Sequence, residues 1–263
     1  MTLADVVLAK KWELDALRHA LPADALSALE HNHLIGITYA SNAIDGSALT
    51  AGETALILEK GMTFTGRPLK DHLQTAEHAG AINWIVQAST KPDAPIAESD
   101  IRHLHRLAVC QSIPEISGRY ADKPRRMETE AGAIDFLGSA GIPALMADFC
   151  AWLAPAPKEP ATAFEAHFRL MAIHPFNDGN GRTARLLTNW LLARCDFPLI
   201  AIRPEDYSTY SQAIGKGLRN DDNKALSEFF FQRLDSTLDT FLGAARRAQA
   251  EALPASRASQ TRT

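Results

Sequence analysis

The 263 residues carry no excess of basic charge: 27 Lys and Arg stand against 31 Asp and Glu, giving a net charge of −4 and a pI near 6.1. Without a basic footprint, a nucleic-acid surface is not expected. Long apolar runs are also missing, and none approaches the ~18 residues of a membrane span. Cysteine is scarce: Cys110, Cys150 and Cys195 are widely spaced and form no Cys-x-x-Cys pair, which excludes a zinc ribbon and a disulfide framework. Their apolar neighbours mark them as reduced, buried thiols. The first eleven residues include Asp5 and lack the basic-then-apolar build of a secretory signal. There is no internal repeat, and the expectation is a cytoplasmic protein without a membrane partner. What is present, 46% hydrophobic and 22% charged residues, is the mixture of an ordinary globular chain long enough to bury a core.

The densest chemistry lies in His174-Pro175-Phe176-Asn177-Asp178-Gly179-Asn180-Gly181-Arg182-Thr183-Ala184-Arg185. Before it, Phe164, Phe168 and Met171 recur at helical spacing; after it, Leu186, Leu187, Trp190 and Leu191 do the same. The stretch therefore reads as a loop between two buried helices that opens the second one. A helix N-terminus presents free N–H groups and the positive end of the dipole to an anion. Gly179 and Gly181 permit close approach of backbone to a ligand and positive φ. Arg182 and Arg185, three apart, project from one face and can clamp successive phosphates. Asp178 is a hard oxygen ligand suited to a divalent cation, and His174 titrates near neutrality and can accept a proton. A plain turn would need neither the paired arginines nor the histidine.

On these residues the chain resembles the Fic family, whose signature H-P-F-x-D/E-G-N-G-R-x-x-R is met at every fixed position. The resemblance implies an all-α fold, a Fic-type helical bundle with a short β-hairpin flap, that transfers AMP from ATP to a Ser, Thr or Tyr hydroxyl of a target protein. It implies His174 as the base, Phe176 as the core anchor of the loop and Asp178 as the ligand of Mg²⁺ or Mn²⁺. Nucleotide and phosphates would fall to Asn177, Gly179, Asn180, Gly181, Arg182 and Arg185, with Arg185 on the γ-phosphate. Tyr210, Ser211 and Asn220 lie where relatives hold the nucleoside.

A second stretch, Ser41-Asn42-Ala43-Ile44-Asp45-Gly46, reads as a helix end with Gly46 at the C′ position. Thr50 and Glu53 form a capping box for the next helix. It also resembles the regulatory motif Ser/Thr-x-x-x-Glu-Gly/Asn of Fic members with an inhibitory N-terminal helix, here near residues 35–46. The motif's glutamate reaches the second signature arginine. Ser41 and Gly46 match, but the acidic residue is Asp45. One methylene less leaves the carboxylate roughly 1–1.5 Å short on the same backbone. The expectation is a looser brake, with the ion pair to Arg185 weakened, bridged by water or regained by a helix shift.

Further helices are expected over 3–20, 25–39, 51–60, 72–86, from Ser99 or Asp100 to Val109, 142–153, from a Thr162 N-cap to the signature, 207–218 and 225–248. Residues 128–136, interrupted at Gly132, have the character of a short hairpin. Gly118-Arg119-Tyr120 before them matches the family's lead-in to the flap, with Ala121 where arginine is common. His72 and His78, six apart, lack metal-ligand spacing on one face and read as structural, while His103 and His105, two apart on a helix, cannot easily share a ligand. The organisation expected is an N-terminal helical region over 1–95, a catalytic core over 96–245 and a disordered tail over 246–263. Some relatives carry a winged-helix module after the core; too few residues follow here, so DNA binding by that route is not expected.

The leading expectation is thus a protein adenylyltransferase, regulated by its N-terminal helix, acting on a protein target and open to self-modification and homodimer formation. Three alternatives stand beside it: hydrolytic removal of AMP, transfer of phosphocholine or a γ-phosphate on the same fold, and a nucleotide-binding regulator without catalysis. Intact Asp178, Gly179 and Arg182 speak against γ-phosphate transfer, and a binder needs no base at 174.

Overall fold

The two helices that flank the signature carry the core. In the computed structural model, which describes residues 1–18, 23–136 and 138–252, these are α7 (Pro160–Ile173) and α8 (Asn180–Ala193). Phe164, Phe168 and Met171 on α7 and Leu186, Leu187 and Trp190 on α8 are all buried, as their spacing requires. Around this pair stand α1 (Leu3–Arg18), α2 (Ala23–Ala43), α3 (Ala51–Lys60), α4 (Leu69–Ala88), α5 (Glu98–Val109), α6 (Ile142–Leu153), α9 (Tyr207–Asn220) and α10 (Lys224–Ala252). The fold is all-α with one small antiparallel hairpin, β1 (Arg125–Met127) and β2 (Ile134–Phe136), in the register Arg125–Phe136, Arg126–Asp135, Met127–Ile134. A single apolar core runs from Val7 to Ala245. No helix among the described residues is long and apolar enough to cross a membrane.

Several boundaries differ from the sequence expectation. The hairpin's first strand lies at 125–127, ahead of Glu128, and Glu128–Ala133 make its loop. A run of two arginines conceals a strand because Arg125 is buried by a distant partner, described below. Helix α5 begins at Glu98, so Asp100 is its third residue, and its carboxylate accepts the Ala97 N–H at 2.8 Å. Helix α7 begins at Pro160, with Thr162 inside its first turn; proline is well suited to a first helical position. Helix α2 runs on through Ala43, and α10 extends to Ala252, so residues 246–252 are helical. The expected tail beyond them, 253–263, lies outside the described residues, as do 19–22. All three cysteines are free, but Cys110 is exposed and Cys150 and Cys195 are half-buried. The capping box is as expected: Thr50 accepts the Glu53 N–H and Glu53 the Thr50 N–H.

Helix α1 lies along α10, where Lys10 reaches Asp235 at 2.6 Å and Asp239 at 2.7 Å. Helix α2 packs on α4 and α8, which sets its C-terminal end beside the start of α8.

Candidate active site

The signature loop is built around Phe176, a fully buried ring whose burial stabilises by roughly 1.5–3 kcal/mol. It lies flat on His105, ring centroids 3.8 Å apart and planes at 5°. The Asn180 side chain closes the loop by accepting the Phe176 N–H at 2.9 Å and donating to the Phe176 carbonyl at 2.7 Å. His105 supports it from below. Gly118 N–H donates to His105 Nδ1 at 3.0 Å, so the ring proton sits on Nε2 and is donated to the Asp178 carbonyl, also at 3.0 Å. Gly179 is left-handed at φ 77°, and a Cβ there would lie 3.0 Å from Val109 Cγ1 and 3.2 Å from His105 Nε2. Gly181 does not have positive φ; what it provides is space, because a Cβ would come within 2.9 Å of the Arg185 guanidinium.

His174 ends α7 in a left-handed conformation, φ 50° and ψ 58°. For a non-glycine residue this costs on the order of 1–3 kcal/mol and needs support from its surroundings. The hairpin supplies it. Buried Arg125 donates from Nε to the His174 carbonyl at 3.0 Å, and Phe136 stacks on the imidazole at 4.3 Å and 8°. Burial pushes the His174 pKa down to about 4, Arg125 adding to the effect and Asp178 opposing it. At neutral pH the ring is therefore uncharged and able to accept a proton.

Arg182 and Arg185 are both buried. Arg182 Nη1 donates to the Ala108 carbonyl at 2.9 Å; Arg185 donates from Nε to Ser41 Oγ at 2.9 Å and from Nη2 to the Ser41 carbonyl at 3.1 Å. One carboxylate oxygen meets both: Asp45 Oδ2 is 2.8 Å from Arg185 Nη2 and 3.3 Å from Arg182 Nε. The shorter side chain is thus no obstacle to direct contact, which leaves, of the three expected outcomes, a pair regained through the backbone. The reason lies in the backbone. Asp45 sits beyond the end of α2 in a Schellman turn, with Gly46 N–H bonded to Ala43 O at 3.1 Å, Ser47 N–H to Asn42 O at 3.0 Å, and Gly46 at φ 93°. That turn, rather than the helix, sets the carboxylate's reach.

All of this opens onto one cleft of about 500 Å³ between the α2 turn, the start of α4, the hairpin, α8 and α9. Residues 95–192, which hold the loop, the hairpin and both arginines, match the family model described as the Fic/DOC family. The chain carries a Fic domain. Over 210 residues it is 30% identical to the protein adenylyltransferase Fic of Nematostella vectensis, an alignment that covers 78% of this chain and 48% of that one. It spans about half the length of the curated relatives it matches. A Fic domain containing signaling protein from Bacteroides thetaiotaomicron has the same fold, with a TM-score of 0.82, 27% identity, and coverage of 93% of this chain and 97% of that one. Residues 134–508 of C. elegans Fic-1 superpose with a TM-score of 0.79 at 24% identity, covering 91% and 71% of the two chains.

The Fic cleft gathers most of the residues singled out by sequence: Asp45 and Gly46 from the α2 turn, His174, Asn177 to Arg182 and Arg185 from the signature, and Tyr210 and Ser211 from α9. Several of their side chains are already committed. Asn177 donates to Asp122 at 2.9 Å, Asn180 is spent on Phe176, and the Tyr210 hydroxyl bonds His167 at 2.9 Å. Ser211 accepts the Glu130 N–H at 3.0 Å and so pins the hairpin loop to α9. For Asn180 and Gly181 the groups that remain for an anion are backbone N–H groups of the open first turn. Ser41 stands behind the wall, on Arg185, and Asn220 is exposed at the far end of α9, outside the lining.

Sequence reasoning missed Arg125 and Phe136, which hold His174, Lys70 and Gln74, which line the cleft from α4, and Gly215. A Cβ at Gly215 would fall 2.3 Å from Thr129 Oγ1, so only glycine lets the hairpin loop lie on α9. Spacing does mark Lys70 and Gln74 as one helical face, but no motif ties that face to the signature. For a metal, no cluster of three His, Cys, Asp or Glu exists among the described residues. Asp178, more than half exposed and 4.0 Å from Arg182, offers a single carboxylate. That donor set fits a hard cation whose remaining ligands are phosphate oxygens and water.

Proposed function

We propose that this chain is a protein adenylyltransferase that transfers AMP from ATP to a Ser, Thr or Tyr hydroxyl of a protein target, with Asp45 as its brake. The observation that carries the reading is the convergence of neutral His174, the open N-terminus of α8 and the guanidiniums of Arg182 and Arg185 on one cleft. The names of the relatives agree with it.

In this mechanism the triphosphate lies along the first turn of α8, its charge met by backbone N–H groups and by Arg182, with the γ-phosphate on Arg185. His174 takes the proton of the target hydroxyl as that oxygen bonds to the α-phosphorus. The bond from the α-phosphorus to the bridging oxygen breaks, and pyrophosphate leaves. A divalent cation, Mg²⁺ or Mn²⁺, held by Asp178 and the phosphates would neutralise developing charge. Positioning and charge neutralisation supply most of the rate. The hairpin that buries His174 also borders the place where a target hydroxyl must enter. With Asp45 on Arg185, the γ-phosphate site is filled by the protein's own carboxylate, so the resting enzyme is held back.

The test is a pair of labelling reactions with lysate and Mg²⁺, using ATP labelled at the α- or the γ-phosphate. Protein labelled from the α-position alone is expected. His174→Ala should reduce the rate by a factor on the order of 10²–10⁴ while ATP affinity stays within about twofold. Label from the γ-position alone would make the enzyme a kinase and overturn the proposal.

A further inference from the structure

For ATP to seat, Asp45 must leave Arg185, and its carboxylate must go somewhere. Four cations line the cleft: Lys70, Arg126, Arg182 and Arg185. Arg182 and Arg185 become phosphate ligands in the proposed reaction, on which this inference rests. Arg126 is already held by Glu128 at 2.7 Å and Asp135 at 3.2 Å. Lys70 is exposed and has no carboxylate partner among the described residues. It stands in the first turn of α4, and that turn is tied to the loop carrying Asp45: the Ala48 N–H donates to Asp71 Oδ2 at 2.7 Å. Ile44, Asp45 and Gly46 line the same cleft as Lys70.

We infer that Lys70 is the second seat of Asp45: the carboxylate moves from the two arginines to the Lys70 ammonium when the triphosphate enters. The backbone suits such a move. Asp45 lies past the last residue of α2, in a turn whose next residue is glycine at φ 93°, so the side chain can swing without unwinding the helix. Only a small bias is needed. Lys70 lowers the cost of releasing the brake and leaves the resting contact alone, which makes it a positioning residue.

The test is a double-mutant cycle on ATP affinity, measured by calorimetry on the full chain with Lys70→Met, Asp45→Asn and the pair. An exposed Lys–Asp pair is worth up to about 1 kcal/mol, so Lys70→Met is expected to weaken ATP binding about two- to fivefold. In the Asp45→Asn background the same change should do nothing, and Lys70→Arg should bind as the parent does. Equal weakening in both backgrounds would mean that Lys70 holds the triphosphate itself and would overturn the inference. So would no effect in either. A chain that binds ATP normally but transfers no AMP refutes the proposed activity and leaves the cycle to decide on Lys70; a chain that binds no ATP refutes both.

Discussion

Asp45 Oδ2 lies 2.8 Å from one buried guanidinium and 3.3 Å from another, so its charge serves the fold and, in the proposed reaction, opposes the substrate. Removing one partner of a buried ion pair leaves uncompensated charge; because the Asp45 side chain is 30% exposed, the cost is discounted to roughly 1–3 kcal/mol. Those two freed arginines are the groups that hold the triphosphate in the proposed reaction. Asp45→Asn, which keeps the shape and removes the charge, should therefore lower the thermal midpoint while raising AMP transfer on the order of tenfold. The two effects are read by differential scanning fluorimetry and by α-labelled ATP. A variant that is less stable and no more active would show that Asp45 is a structural counter-ion only. The contact itself was legible at the level of residue types, since the resemblance to the family's regulatory motif marked Ser41, Asp45 and Gly46. Its directness was not. Side-chain length is written in the sequence, but the placement of the turn depends on how α2 packs against α4 and α8.

The hairpin shows the same limit at the scale of an element. Glu128–Phe136 looked like the strand-bearing segment, yet the first strand is Arg125–Met127, a charged run that local propensity does not favour. It is held by contacts remote in sequence: Arg125 to the His174 carbonyl, Ser211 to Glu130, and the absence of a side chain at Gly215. By contrast, α7, α8 and the capping box at Thr50 were legible because each is decided by residues within a few positions. The hairpin's hold on His174 has a measurable consequence. Burial is the main cause of the imidazole's low pKa of about 4, and Phe136 forms the stacked cover. Phe136→Ala should uncover the ring and let its pKa rise toward the ordinary value near 6.5. The acid limb of the pH–rate profile for AMP transfer should then move upward by about a unit or more, with a lower rate at pH 6 than at pH 8. An acid limb that stays in place would mean that His174 does not set it.

Across the whole molecule, the cleft is only one of several places where a histidine is buried uncharged. Burial pushes His78 and His167 down to about 3, and His105 and His174 down to about 4. His78 bonds Thr38 across the α2–α4 contact, His167 links Thr188 to Tyr210, and His105 carries the signature loop. In the unfolded chain each would titrate near 6.5, so below that pH the unfolded state binds more protons than the folded one. Stability from these groups is fully present above about pH 6.5 and is lost as pH falls toward the folded values. Each group contributes a slope on the order of 1 kcal/mol per pH unit in that window, and the four act in the same direction. A domain stable by about 5–15 kcal/mol cannot absorb much of that. We expect cooperative loss of tertiary structure between about pH 6 and pH 4, followed by near-ultraviolet circular dichroism, because acid states often keep their helical far-ultraviolet signal. A near-ultraviolet spectrum unchanged at pH 4 would mean that the four rings can take up protons in place, and that the seams joining α2, α4, α7 and α8 are looser than their geometry indicates.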